Sequence, residues 1–287
     1  MVKWLRSKLS WGWLLFFIVL FIFLFLILFP FYWMLISSSK SLTELFGRTP
    51  TFWPSRISLE AYRIVWFDQG LGKNFLVSLI VATITSILGV SLSSLGAYAV
   101  ARMRFKGKNL MLRTILLVYM FPGVLLIIPL FAMLSQLGGL VGIGIQDNLP
   151  VLILTYLAQT LPVALYMLAS YFRTIPEEIE EAGMIDGCSR LGVIRRITMP
   201  LSIPAMVSVS IFIFMIAWNE FLYAFVFLND RNIFTLPIKL VAISQQLNTR
   251  WDVVMAASTI ITIPIIALFL IFERFLTEGL AAGAVKG

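Results

Sequence analysis

Histidine is absent from the 287 residues, and cysteine occurs once, at Cys188. The first absence removes the commonest general base and the commonest metal ligand together. The second excludes an internal disulfide and any cysteine-based metal cluster. Charge is scarce as well: Asp, Glu, Lys and Arg make up 13% of the chain, while 60% is hydrophobic and the mean hydropathy is +0.96. No phosphate-cradling run of the G-x-x-x-x-G-K-[ST] type occurs, since Lys73 and Lys108 each follow a glycine but lack the upstream one. Neither a catalytic set nor a cofactor is expected from such a composition.

What the chain has instead is long windows without charge. Each can hold about 20 apolar residues, enough to cross a bilayer as a helix. They predict six spans, at 13–36, 74–101, 110–134, 149–171, 203–228 and 252–272. The glycine-rich run from Gly138 to Gly144 is expected to form the loop between the third and fourth. A membrane β-barrel would show weak alternating segments of ten residues, not unbroken apolar runs. The fold class is therefore an all-α integral membrane protein with a single transmembrane domain, 1–287. The first run is too long for a secretory signal and is read as a retained span.

An even number of spans puts both termini on one side. With both inside, fourteen of the Lys and Arg residues fall on the inner side and eight on the outer. Both termini are thus expected in the cytoplasm, with membrane lipid around the spans. Basic residues flank the apolar runs and do not line one surface, so topology explains the net charge of +8 better than nucleic acid does. The one large external element is 37–73. Ser58 and Glu60 mark a helix start there, and Trp53, Tyr62 and Trp66 are either interfacial anchors or ligand contacts.

Within the spans, Asn219 and Glu220 are the outstanding polar pair, followed by Gln159 and Tyr119. Polar groups in a bilayer are costly and point to a substrate pathway or to interhelical packing. Prolines at 122, 129, 162 and 264 predict kinks.

The stretch Glu177 to Pro200, EEIEEAGMIDGCSRLGVIRRITMP, concentrates charge as nowhere else. Pro176 and the acids after it start a helix. Ile175, Ile179 and Ala182 share one of its faces, and Glu177, Glu178 and Glu181 lie off that face. Gly187 ends the helix, Ser189 caps a second, and Pro200 opens the next span. Connectors are usually short, so the loop 172–200 is read as a docking element facing the cytoplasm.

The spacing Glu181-Ala182-Gly183, then Gly187, then Ile197-Thr198-Met199-Pro200 resembles the EAA loop of binding-protein-dependent ABC importer permeases. Gly183 replaces an alanine of that pattern, and Met199 replaces a leucine. Ala217-Trp218-Asn219-Glu220-Phe221-Leu222 and the ending Ala282-Gly283-Ala284-Val285-Lys286-Gly287 resemble the carbohydrate importers of the maltose type. The resemblance covers essentially the whole chain and implies a type I importer permease fold in the inner membrane of a bacterium or archaeon. It further implies two cytoplasmic ATP-binding subunits, a second permease of different sequence, and an external substrate-binding protein. Ile179, Glu181, Ala182, Gly183, Met184 and Gly187 would seat the loop on the ATPase, Ala182 and Gly183 by allowing close approach, and the tail 276–287 would reach the same subunits. A sugar or oligosaccharide is the implied cargo. The rival expectation is an ion-driven secondary transporter, which calls for inverted repeats and titratable residues at mid-membrane.

Overall fold

The computed structural model describes residues 11–246 and 249–284, with side chains described for 12–246 and 249–275. Lys3, Arg6 and Lys8, used above for orientation, lie outside the described residues, as do the side chains of the tail 276–287. The described elements are helical, with no strand among them. They group into two units, Met1–Leu71 with Ala242–Thr262, and Gly72–Val241 with Ile263–Gly287.

In the first unit, α1 (Trp11–Ser38) is a candidate span, and residues 12–28 are exposed throughout. Its end is tied down. Ser38 and Tyr62 hydroxyls are 2.6 Å apart, and the Lys40 ammonium sits 4.8 Å from the Trp33 ring centroid while donating to the Thr51 carbonyl. A short helix, α2 (Leu42–Leu45), carries Glu44, whose carboxylate accepts from the Thr51 hydroxyl at 2.7 Å and the Ser55 amide at 3.0 Å. The Thr51 hydrogen bond, then the Ser55 amide, hold this carboxyl below the usual carboxylate range. α3 (Glu60–Arg63) continues as a π-helical turn, Ile64–Asp68. Ser58 accepts from the Glu60 amide at 3.3 Å, so it braces the helix start from one residue before the cap position. Arg250 bridges Glu60 at 3.4 Å and the buried Asp252 at 2.7 Å. Trp53 is exposed, whereas Tyr62 is half-buried and spent on Ser38.

The second unit is built on α4 (Leu71–Arg102), α7 (Leu149–Phe172) and α11 (Ile203–Asn219). Their core joins Ala97, Tyr98, Leu168, Phe172, Val209 and Ile213. Small residues let the helices approach, as is usual between membrane helices. A Cβ on Gly89 would lie 2.7 Å from the Ile213 Cδ1, and Ser86 donates to the Ser210 carbonyl at 2.8 Å. Buried Thr85 and Ser93 return their hydroxyl protons to carbonyls four residues back, so neither donor is stranded.

The third span differs from expectation. Residues 110–134 are not one helix. α5 (Lys108–Met120) stops, and α6 (Gly123–Val141) begins after a break at Phe121-Pro122. Phe121 is extended (φ −71°, ψ 134°), as a residue before proline prefers. α6 then runs through Gly138 and Gly139, where a loop was expected, and closes at Gly142 with φ +72°. The fifth span also breaks: α11 ends at Asn219, and α12 (Leu222–Phe227) follows Glu220-Phe221. Among the described residues, five helices are long and apolar enough to cross a membrane. A sixth crossing is counted if the segment Arg190–Leu201 is joined to α11, with which it makes a 78° bend. α13 (Leu236–Ser244) and α14 (Trp251–Ala284) complete the order, and α14 runs well past the expected end at 272.

The lowered titration of Glu44 carries a sign that can be checked. Its ionised form is the one the loop holds, so the bonds stabilise the loop above the unfolded carboxyl range. They are lost as pH falls through the depressed value. Hydrogen exchange at the Ser55 amide, corrected for intrinsic rates, should rise on acidification. Glu44→Gln should show the fast rate already at neutral pH, and equal rates in both proteins at neutral pH would refute the role.

Candidate functional site: the loop between α7 and α11

Pro176, extended at ψ 133°, turns the chain out of α7 and sets the start of α8 (Glu177–Ile185). Three acids in its first turn complement the helix dipole. The helix ends in a Schellman closure: the Cys188 amide donates to the Gly183 carbonyl at 3.0 Å and the Gly187 amide to Met184 at 3.1 Å. Gly187 has φ +88°, and a Cβ there would meet nothing within 4 Å. Its requirement is thus the left-handed backbone and not crowding. Ser189 caps α9 (Arg190–Val193) by accepting from the Gly192 amide at 3.2 Å. A π-helical turn, Ile194–Thr198, and α10 (Met199–Leu201) follow, so Pro200 lies one turn before the bend and not at the start of α11.

The face that α8 turns inward is not the expected one. Ile175 is buried, but Ile179 and Ala182 are exposed, and the inward positions are Glu180 and Gly183. The Glu180 carboxylate, 4% exposed, accepts from Arg102 Nε at 3.0 Å, the Tyr98 hydroxyl at 3.1 Å and the Thr198 hydroxyl at 3.1 Å. Arg102 in turn donates from Nη2 to the Ile175 carbonyl at 2.6 Å, and its Nη1 lies 3.7 Å from Glu177. One buried ion pair therefore joins the end of α4, the entry to α8 and the π turn beyond α9. Burying two charges is costly, and three donors on the carboxylate are what offset it. Gly183 packs on this same inner side, where an added Cβ would collide with the Ile197 Cδ1. Its small size serves contact within the loop and not an outward approach.

The outward side carries Ile179 and Met184, about two-fifths exposed, with Ile185 at 86% and Glu181 and Ala182 also open. These are apolar side chains in an acidic, water-facing loop, and nothing in the described chain covers them.

The second group of expected residues separates. A cavity of about 680 Å³ opens at the break between α5 and α6, lined among others by Tyr119, Phe121, Gly123, Gln159, Thr160 and Tyr223. Gln159 Oε1 is buried without a hydrogen-bond partner among the described residues. Asn219 and Glu220 do not line it. Asn219 donates to the Met215 carbonyl of its own helix at 2.8 Å. Glu220 caps α12, accepting from the amides of Tyr223 at 2.8 Å and Ala224 at 3.0 Å, and takes the Tyr156 hydroxyl at 2.8 Å. The Tyr223 hydroxyl reaches the Gly123 carbonyl at 3.3 Å, which ties one helix break to the other. Sequence reasoning missed Arg102, Glu180, Tyr156 and Tyr223. Only Glu180 left a signal, as the one acid of the cluster that is three residues before a glycine and thus shares its face.

The class that these features define is a helical membrane protein with broken spans, a cavity between them and an anchored loop whose outer apolar face is uncovered among the described residues. Comparison with known proteins gives the class its family. The family described as "Binding-protein-dependent transport system inner membrane component" matches residues 89–281, and this chain belongs to it. It is 42% identical over 261 residues to the inner membrane ABC transporter permease protein YcjP of Escherichia coli (strain K12), covering 90% of this chain and 91% of that one. It is 38% identical over 271 residues to the trehalose/maltose transport system permease protein MalG of Thermococcus litoralis, covering 90% and 91%. The fold matches a chain of a bacterial ABC transporter involved in import of the acidic polysaccharide alginate, with a TM-score of 0.80 at 21% identity over 94% of this chain and 98% of that one. The protein is an ABC importer permease of the type I fold in the inner membrane, and such a subunit is not itself the catalyst.

The buried pair makes a specific prediction. Glu180→Ala leaves Arg102 buried without its main counter-charge, a loss of about 3–5 kcal/mol for a pair of this kind. Tryptic cleavage at Arg190, Arg195 and Arg196 should accelerate while the spans stay inserted. Replacing both partners, Glu180→Leu with Arg102→Met, should restore much of the resistance. If the double variant is cut as fast as Glu180→Ala, the two residues do not act as a pair.

Proposed function

We propose that this chain is one of two permease subunits through which a sugar or oligosaccharide enters the cell, driven by ATP hydrolysis on partner subunits. The outward face of α8 carries the reading. Ile179, Met184 and Ile185 form an apolar surface with Glu181 beside it, on a helix fixed from behind by Glu180 and Arg102. A surface that is apolar outside and rigid inside suits the seat of an ATP-binding subunit better than a free loop. Two such subunits would sit in the cytoplasm, on the side of both termini, and the tail 276–287 would reach them. A second permease of different sequence completes the channel, and an external binding protein delivers the cargo. The relative named for trehalose and maltose supports a carbohydrate. In the cavity, Gln159 offers an unpaired acceptor and Tyr119 a ring and a hydroxyl, groups suited to a hydroxylated cargo. Asn219 and Glu220 do not line this cavity, and Glu220 holds the start of α12. Family membership stands against the secondary-transporter alternative.

Co-purification tests the assembly, and the turn at Gly187 tests the coupling. Because φ is +88° and the space is open, Gly187→Ala and Gly187→Leu should impair uptake to a similar degree, each facing roughly 1–2 kcal/mol of left-handed strain. Gly187→Asn, which tolerates that backbone, should retain most of the uptake. Native uptake by Gly187→Leu with its ATPase bound would remove the coupling role. Cys188, the sole thiol, should react with a membrane-impermeant reagent in inside-out vesicles holding the chain alone. Labelling of the folded chain from outside intact cells would reverse the orientation.

A further inference from the structure

We propose that the loop between α4 and α5, together with α9, forms a binding site for the phosphodiester headgroup of an anionic phospholipid. The segment Met103-Arg104-Phe105-Lys106 leaves α4 without helical structure and alternates apolar and basic side chains, all exposed. Two clefts share Arg104 and Phe105. One, of about 540 Å³, is lined by Arg102, Met103, Arg104, Phe105 and Arg190; the other, of about 330 Å³, adds Lys108 and Leu110. Arg190 comes from α9, far along the chain, so the first cleft is assembled by the fold and not by one basic run.

The charges there are not balanced within the chain. Arg102 is consumed by Glu180, with Glu177 beside it, but Arg104, Lys106 and Arg190 make no ion pair among the described residues. Lys108 donates only to the Met103 carbonyl, at 3.3 Å. Glu177 and Glu180, the acids beside the cleft's Arg102, both already face that residue. An arginine fork matches phosphate oxygens in pairs, and two forks meet here from separate elements. The position selects a lipid. The cleft lies at the end of the membrane helix α4, and α5 leads away from it with Leu110 and Leu117 about 70% exposed, a surface for acyl chains. Phe105 and Met103 supply the apolar step between headgroup and chains, and juxtamembrane cations attract anionic lipid by charge as well. A lipid held by Arg104 and Arg190 together would fasten the driven loop to the membrane surface.

The test uses the transporter purified with its accompanying subunits in nanodiscs of phosphatidylcholine with or without phosphatidylglycerol. Native mass spectrometry reads the lipids retained on release. The wild type should retain phosphatidylglycerol preferentially. Arg104→Gln/Arg190→Gln should weaken that preference roughly thirty-fold, as removal of two surface cations implies. Arg195→Gln/Arg196→Gln, with the same charge change on exposed residues of the same loop, should keep it. An unchanged preference in the first variant overturns the site, as does an equal loss in the second. Abolition of the preference by inorganic phosphate would assign the cleft to a soluble anion instead. Loss of the ATP-binding subunits with lipid retention intact would make it a protein-docking surface, and the proposal would fail.

Discussion

The buried contact between Arg102 and Glu180 is the constraint on which the loop between α7 and α11 rests. Arg102 is the last residue of a 32-residue helix, and Glu180 sits mid-way along a nine-residue one. The contact fixes α8 against the end of α4, and the Thr198 hydroxyl joins the π-helical turn beyond α9 to the same carboxylate. Such a pair is weak evidence for net stability. Its value lies in geometry, because only one arrangement of the three segments satisfies the carboxylate.

A second set of polar groups does comparable work inside the membrane. Pro122 and the Glu220-Phe221 step each interrupt a span, and interrupted backbone is tolerated in a bilayer only where its polar groups find partners. Glu220 supplies them for α12, and Tyr223 links the two interruptions. The first break lines the cavity, as does Tyr223, which bonds to it, whereas Glu220 is engaged with the start of α12 and with Tyr156.

Fold class, loop position and the start and end of α8 could be read from the sequence, since each rests on local signals. Apolar windows gave the helices, Pro176 and the acids gave the start of α8, and Gly187 and Ser189 gave its turn and the next cap. What was not legible depends on which side of a helix faces the rest of the chain. Ile175, Ile179 and Ala182 fit one stripe by spacing, yet α8 buries Glu180 and Gly183, because the partners that fix its face, Arg102, Tyr98 and Thr198, lie far from it in the chain. The third span was misplaced for a related reason. Glycines 138 and 139 look like a loop in water, but between membrane helices they are ordinary helix residues, and the true end waits for the positive φ of Gly142.

The first helix presents a different economy. From residue 12 to 28 it offers every side chain to its surroundings and packs none against its own unit. Within the chain, then, that stretch is asked for hydropathy and not for fit to a neighbour. Exchange among leucine, isoleucine and phenylalanine there leaves the span's hydropathy in place, whereas behind α1 a single methyl group or a single charge has a neighbour to answer to.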